Sequence, residues 1–245
     1  MLKAYCGQVC AKKFMRSIGP ILGVGIIMIL CGGLMMFGDM KVRPAAARAQ
    51  SLNTLRQIGL ALNSYHEVHG HFPAAAIRDK DGQPLLSWRV ALLPFLEAED
   101  LYHEFRQDEK WDSPHNSRLL NRMPGAFRSP RNGPNDPGAT YYQVFTSDGA
   151  VFENPTGLTR DEIGNGRGLE NTLLVVEAAD AVPWTRPIDL VHTSGQPLPR
   201  LGGRFYGESG LGGVYYLCAV FADSSARYFT EEDGESIRAL ISWKK

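Results

Sequence analysis

The chain has 245 residues, 44 % of them apolar, which is ample for a sizeable core and excludes disorder as the default state. Formal charge is zero, but Lys3, Lys12, Lys13 and Arg16 stand without an acid in the first 16 residues. That leaves 22 basic against 26 acidic side chains beyond them, a balance that argues against a nucleic-acid partner.

The basic tail 1–16 is followed by the uncharged run 17–38, "SIGPILGVGIIMILCGGLMMFG". As a helix this run would reach about 33 Å, enough for the hydrocarbon core of a bilayer. Its glycines and Pro20 make it a poor core helix in water, whereas membranes tolerate both. The run is longer than a cleavable leader needs, so a retained transmembrane anchor is expected. Basic residues flank it on both sides, with Lys41, Arg43 and Arg48 following, so orientation rests on the large domain lying outside. Gly19-x-x-x-Gly23 offers a small-residue face for helix pairing. Cys6, Cys10 and Cys31 precede residue 39 and only Cys218 lies beyond it, so the main domain 39–245 can form no internal disulfide.

After Pro44 an amphipathic helix is predicted over about 44–70. Leu52, Leu55, Ile58, Gly59, Leu62, Tyr65, His66 and His69 fall in one arc about 140° wide. Gly70 is placed as a left-handed cap, and Pro73 stops continuation. The stretch "SYHEVHGHFP" gathers His66, His69 and His71, which makes them metal candidates. The order His-Glu-Val-His lacks the i, i+4 ligand spacing of a zincin helix, so packed histidines and no bound metal are expected.

"PLLSWRVALLPFLEAEDLYHEFR", starting at Pro84, reads as helical, with Pro94 a kink or a junction between two helices. "WDSPHN" places Asp112, His115 and Asn116 on a turn after Trp111, where Asp and Ser before Pro114 read as a helix cap. A hairpin is predicted over 140–153 about Asp148-Gly149, a buried strand over 171–180, and a second hairpin over 214–230 about Asp223-Ser224-Ser225. Residues 128–139 and 183–204, rich in proline, read as loops. Asp161-Glu162 and Glu231-Glu232-Asp233 lack calcium-loop spacing and read as solvated faces.

The apolar run continuing into a helix that ends in Tyr65, Gly70, Phe72 and Pro73 resembles type IV pilins and the pseudopilins of type II secretion. Four blocks carry a closer likeness: "NTLRQIGLALNSYHEVHGHFPAA", "LLSWRVALLPFLEAEDLYHEFRQDEKWDSPHN", "ENTLLVVEAADAVPWTRPIDL" and "FADSSARYF". Together, over residues 43–230, they resemble the pseudopilin-like domain of unknown function 1559 of planctomycete-type bacteria. The positions that carry the family's motifs are Tyr65, Gly70, Phe72, Pro73, Trp111, Asp112, Pro114 and Asp223. Two departures stand out. No acid precedes Asp39 and Pro20 follows Gly19, which argues against pilin-type processing. Gly213 and Ser224 stand where the family's His-x9-Asp-Gly signature has His and Gly.

The expected fold is therefore α+β and pilin-like: a membrane span, a long stem helix packed on a mainly antiparallel sheet, and Pro/Gly-rich loops. There is no Gly-x-Ser-x-Gly elbow, phosphate loop or dinucleotide fingerprint, and Cys218 lies in an apolar run, away from any activating motif with His192. The reading is a non-catalytic, exported, membrane-anchored pseudopilin-like protein of the cell envelope or a secretion system. Its expected partners are the membrane and other pseudopilin-like subunits, without nucleic acid. It has no cofactor unless calcium binds by analogy with pseudopilins. The competing reading is a membrane-tethered solute- or polymer-binding or sensing domain.

Overall fold

Helix α1 covers residues 45–69, close to the predicted range, and buries the middle of the predicted stripe, with Leu55, Ile58 and Leu62 at 0 % exposure, while Leu52, Tyr65 and His66 are half-buried and His69 is exposed. It ends at Gly70, whose backbone has φ +79° and whose N–H donates to the His66 carbonyl at 2.7 Å. The computed structural model describes residues 45–132, 136–146, 149–203, 217–230 and 233–244. The tail 1–16, the run 17–38 with Gly19, Pro20 and Gly23, and Asp148, Gly213, Glu231 and Glu232 lie outside the described residues. No helix among the described residues is long and apolar enough to cross a membrane.

Beneath α1 lies a four-stranded antiparallel sheet in the order β3 (Ala139–Gln143), β4 (Leu173–Pro183), β5 (Leu217–Phe221) and β6 (Ala226–Phe229). Strand alternation divides the core between the two faces. Cys218, Val220 and Ala222 join Leu55, Ile58 and Leu62 of α1 in one cluster. Leu217, Ala219 and Phe221 join Ile237 and Ile241 of helix α5 (Gly234–Ile241) in the other. With both faces covered, β5 is buried at every position, which is why it reads as an unbroken apolar run. An irregularity between Leu173 and Val175 lets both Leu174 and Val175 face the α1 side.

The α1-to-sheet approach is closest at Gly59. A methyl group there would sit 2.7 Å from Val220 Cγ2 and 3.3 Å from the Ser224 Cα. Ser224 has a left-handed backbone, with φ 67°. That backbone costs a non-glycine residue roughly 1–2 kcal/mol. The side chain offsets this, since its Oγ accepts a 2.8 Å hydrogen bond from Asn63 Nδ2, which also donates to the Ala222 carbonyl at 3.2 Å. Asp223 closes the turn by accepting from the Ser225 N–H at 2.8 Å.

Two sequence expectations are corrected. Residues Pro84–Ser87 are not helical but form β2, paired antiparallel with β1 (Ala76–Arg78) around a turn in which Asp79 Oδ1 accepts from the N–H groups of Asp81 and Gln83. Helical structure begins at Trp88, in α2 (Trp88–Ala91). It breaks at Pro94 within a 3₁₀ turn (Leu93–Leu96) and resumes as α3 (Glu99–Glu104), so the proline marks a junction as expected. Nor do the arms of 140–153 pair with each other: β3 pairs with β4, and Val151–Glu153 is a 3₁₀ turn. The physical reason is that the Val144 N–H is taken by Asp189 Oδ1 at 3.0 Å, while Phe152 packs against Trp88 with ring centres 5.8 Å apart.

Candidate functional site

The histidine-rich stretch at the end of α1 is split among three environments. His66 Nε2 accepts the Arg160 N–H at 3.1 Å, which joins α1 to the first turn of α4 (Arg160–Asn165). Burial and the nearby Arg160 charge hold this imidazole below its ordinary pKa, consistent with the neutral ring that the acceptor role requires. His69 Nδ1 donates to the Tyr65 carbonyl at 3.0 Å, and His71 Nδ1 donates to that of Phe72 at 2.8 Å. Among the described residues no group of three or more His, Cys, Asp or Glu side chains is arranged to hold a metal ion.

What the stretch builds instead is one wall of a groove. Tyr65 and His69 stack with centres 4.0 Å apart at 17°, and Phe95 stands across them, 5.6 Å from Tyr65 at 64° and 5.9 Å from His69 at 72°. The result is an aromatic corner. Tyr102 of α3, Gln107, Ile77 and Val68 join them in lining a cavity of about 400 Å³. Burial, and secondly the neighbouring Tyr102, push the Tyr65 phenol above its ordinary range, so it remains a neutral donor. Val68 is 70 % exposed at the rim.

A second cleft of about 490 Å³ lies between α3 and the 3₁₀ helix Asn116–Arg122. Its polar groups are largely engaged within the protein. Glu104 pairs with Arg122, Arg106 with Glu109 at 2.8 Å, and His115 Nε2 donates to the Glu104 carbonyl at 2.8 Å. The groove at the end of α1 is the better candidate because Tyr65, Tyr102 and Gln107 line it and no ion pair of the described residues lies among its lining side chains.

A third polar group lies inside the core. Glu177 of β4 is 1 % exposed, and its Oε1 accepts from Ser51 Oγ of α1 at 2.8 Å and from Ser129 Oγ at 3.0 Å. Burial pushes its carboxyl up, against the opposing pull of Ser51 and Arg131. Burial and Glu177 likewise push the Tyr142 phenol and the Cys218 thiol up, the reverse of an activated nucleophile. A carboxyl that holds its proton more tightly when folded stabilises fully below its ordinary value of 4.5, and that contribution is lost as pH rises through the folded value. Glu177→Gln, which mimics the protonated acid, should therefore flatten the fall in Tm as pH rises above the ordinary value of 4.5. Identical slopes in the two proteins would mean that Glu177 is ionised throughout.

The remaining predicted positions are structural. Phe72 and Pro73 are buried, and the Phe72 N–H donates to the Leu158 carbonyl at 2.7 Å. Trp111 packs on the core beneath the Arg186 guanidinium, 5.3 Å from its ring centre, while Asp112 and Pro114 are exposed. In "WDSPHN" the Ser113 Oγ accepts the Asn116 N–H, but the 3₁₀ helix that follows has His115 at its N-cap without a side-chain cap bond, so the expected cap is a turn ahead of the helix. Buried Asn116 donates to the carbonyls of Arg106, Glu109 and Lys110 and accepts the Arg106 N–H, which knots that loop together. Glu162 completes a capping box with Thr159, and Asp233 accepts the Thr230 N–H at 2.7 Å. Cys218 faces α1, whereas His192 packs beside Phe145 in the cluster on the α5 side.

No curated protein and no solved structure matches the chain. A family match covers residues 40–167, which takes in α1, the groove, the Trp111 loop and β3 but ends before β4, so the likeness of the later blocks rests on their own residues. Since that match spans more than half of the 245 residues, the chain belongs to the family described as protein of unknown function (DUF1559).

Proposed function

We propose that this chain is a membrane-anchored, exported pseudopilin-like subunit that acts without catalysis, by assembling with similar subunits or by contacting an envelope or secretion machine. The observation that carries the reading is the relation of α1 to the head. A helix that begins directly after Pro44, close in sequence to the apolar run 17–38, lies along a four-stranded antiparallel sheet and is gripped at Gly59 and Asn63. Membership of DUF1559 and the likeness of the run and stem to pilins support it. In this reading the basic tail 1–16 stays in the cytoplasm, the run 17–38 crosses the cytoplasmic membrane once, and the domain from residue 39 onward is exported. The groove at the end of α1 favours the second reading, a membrane-tethered domain that binds a solute or polymer.

Intact mass spectrometry and cross-linking of the protein extracted from its own membranes decide between them. Assembly predicts resistance to carbonate extraction and a regular ladder of cross-linked species. An uncut, membrane-bound monomer with no cross-linked neighbour would sink the assembly reading and leave the tethered binding domain.

A further inference from the structure

We propose that the groove formed by Tyr65, His69, Phe95, Tyr102 and Gln107 binds a neutral saccharide, and that it does so whether or not the chain assembles. The argument starts from the lining. No Asp, Glu, Lys or Arg lines the cavity, so a charged ligand would leave water without a counter-ion. A purely apolar ligand fits no better. It would strip water from the two phenols, the Gln107 amide and the imidazole without replacing their hydrogen bonds. A sugar ring answers both requirements, because it is uncharged, has C–H faces that lie on aromatic rings, and carries a rim of hydroxyls.

The geometry matches that chemistry. Tyr65 and His69 stack face to face, which leaves an outer ring face of the stack for a C–H face of the sugar, and Phe95 stands at 64° and 72° to the two rings as a second aromatic surface. His69 Nδ1 is taken by the Tyr65 carbonyl, which leaves Nε2 as the ring nitrogen free to bond a sugar hydroxyl. The Tyr65 and Tyr102 phenols supply donors, and the Gln107 amide both donates and accepts. A cavity of about 400 Å³ is within the usual small-ligand range of roughly 300–1,000 Å³, toward its lower end. The walls come from α1, β1, α2, the 3₁₀ turn at Pro94 and α3, and Gln107 joins them from the turn that follows α3.

The test is calorimetric titration of the full-length protein, in a detergent without a sugar headgroup, with cellotetraose, chitotetraose, a tetragalacturonate and p-cresol. Binding of at least one of the two neutral tetrasaccharides with a Kd of about 1 mM or tighter, and at least tenfold weaker binding of the uronate, is expected. Tyr102→Phe and Gln107→Ala each remove a hydroxyl partner at a part-exposed or exposed position and should weaken binding at least fivefold without shifting Tm. Val68→Asp, at the exposed rim, should weaken the uronate further. Absence of binding by both neutral tetrasaccharides, tighter binding of p-cresol or uronate, or indifference to both variants would overturn the proposal.

Discussion

Replacing Gly157 by alanine should lower stability by about 2–5 kcal/mol, the left-handed backbone contributing roughly 1–2 and overpacking roughly 1–3. The glycine has φ +78°, and a methyl group on it would lie 1.9 Å from the Phe72 carbonyl oxygen and 2.8 Å from His71 Nδ1. Those atoms cannot give way freely, because the Phe72 N–H is bonded to the Leu158 carbonyl at 2.7 Å and the Phe72 ring is fully buried. The loop before α4 would have to lift from the segment that follows α1. In a domain of this size such a loss lowers Tm on the order of 10 °C, readable by circular dichroism on the full-length protein. A variant that melts within about 2 °C of the parent would show that the contact yields cheaply.

Arg89→Met should cost about 3–5 kcal/mol, because it strands a buried carboxylate. Arg89 is 0 % exposed, and its Nη2 lies 2.8 Å from Asp189 Oδ1, whose side chain is 2 % exposed. The guanidinium also donates to the Tyr142 carbonyl through Nε and Nη2 and to Ser87 Oγ through Nη1. Burial pushes the Asp189 carboxyl up and the Arg89 pKa down, yet arginine keeps its proton and so keeps its partner ionised. Asp189 in turn accepts from the Val144 N–H and the Trp88 indole, so one ion pair joins β2, α2, β3 and the loop at 189. The diagnostic is the double variant Arg89→Met, Asp189→Leu, which removes both charges and should recover much of the loss in chemical denaturation. If the double variant loses the sum of the two singles, the pair is not coupled.

Much of this architecture was legible in the sequence because it follows local periodicity. The α1 stripe, the Gly70 cap, the Pro94 junction, the buried strand at Leu173 and the Asp223-Ser224 turn each depend on a few adjacent residues and came out as read. The hairpin over 140–153 failed for the opposite reason: a buried aspartate at position 189 claims the Val144 N–H, and no local pattern announces that. Ser51 was passed over on the helix face because its partner, Glu177, is 126 residues away. The histidines were visible as a cluster, but the groove that His69 helps to line was not. Phe95, Tyr102 and Gln107 reach it only after the chain has turned at Pro94.

The two sets of hydrogen bonds that hold α1 to the sheet, Ser51 to Glu177 and Asn63 to the Ala222–Ser224 turn, have a mechanical meaning. They stand twelve helical steps apart, about 18 Å along the axis. A pull on the N-terminal end of the helix acts along that axis, so it loads both fastenings and the apolar stripe between them in shear. They carry the force together instead of opening one after another. Hooked at Gly59, where the helix backbone sits against the β5–β6 turn, the joint resists sliding better than peeling.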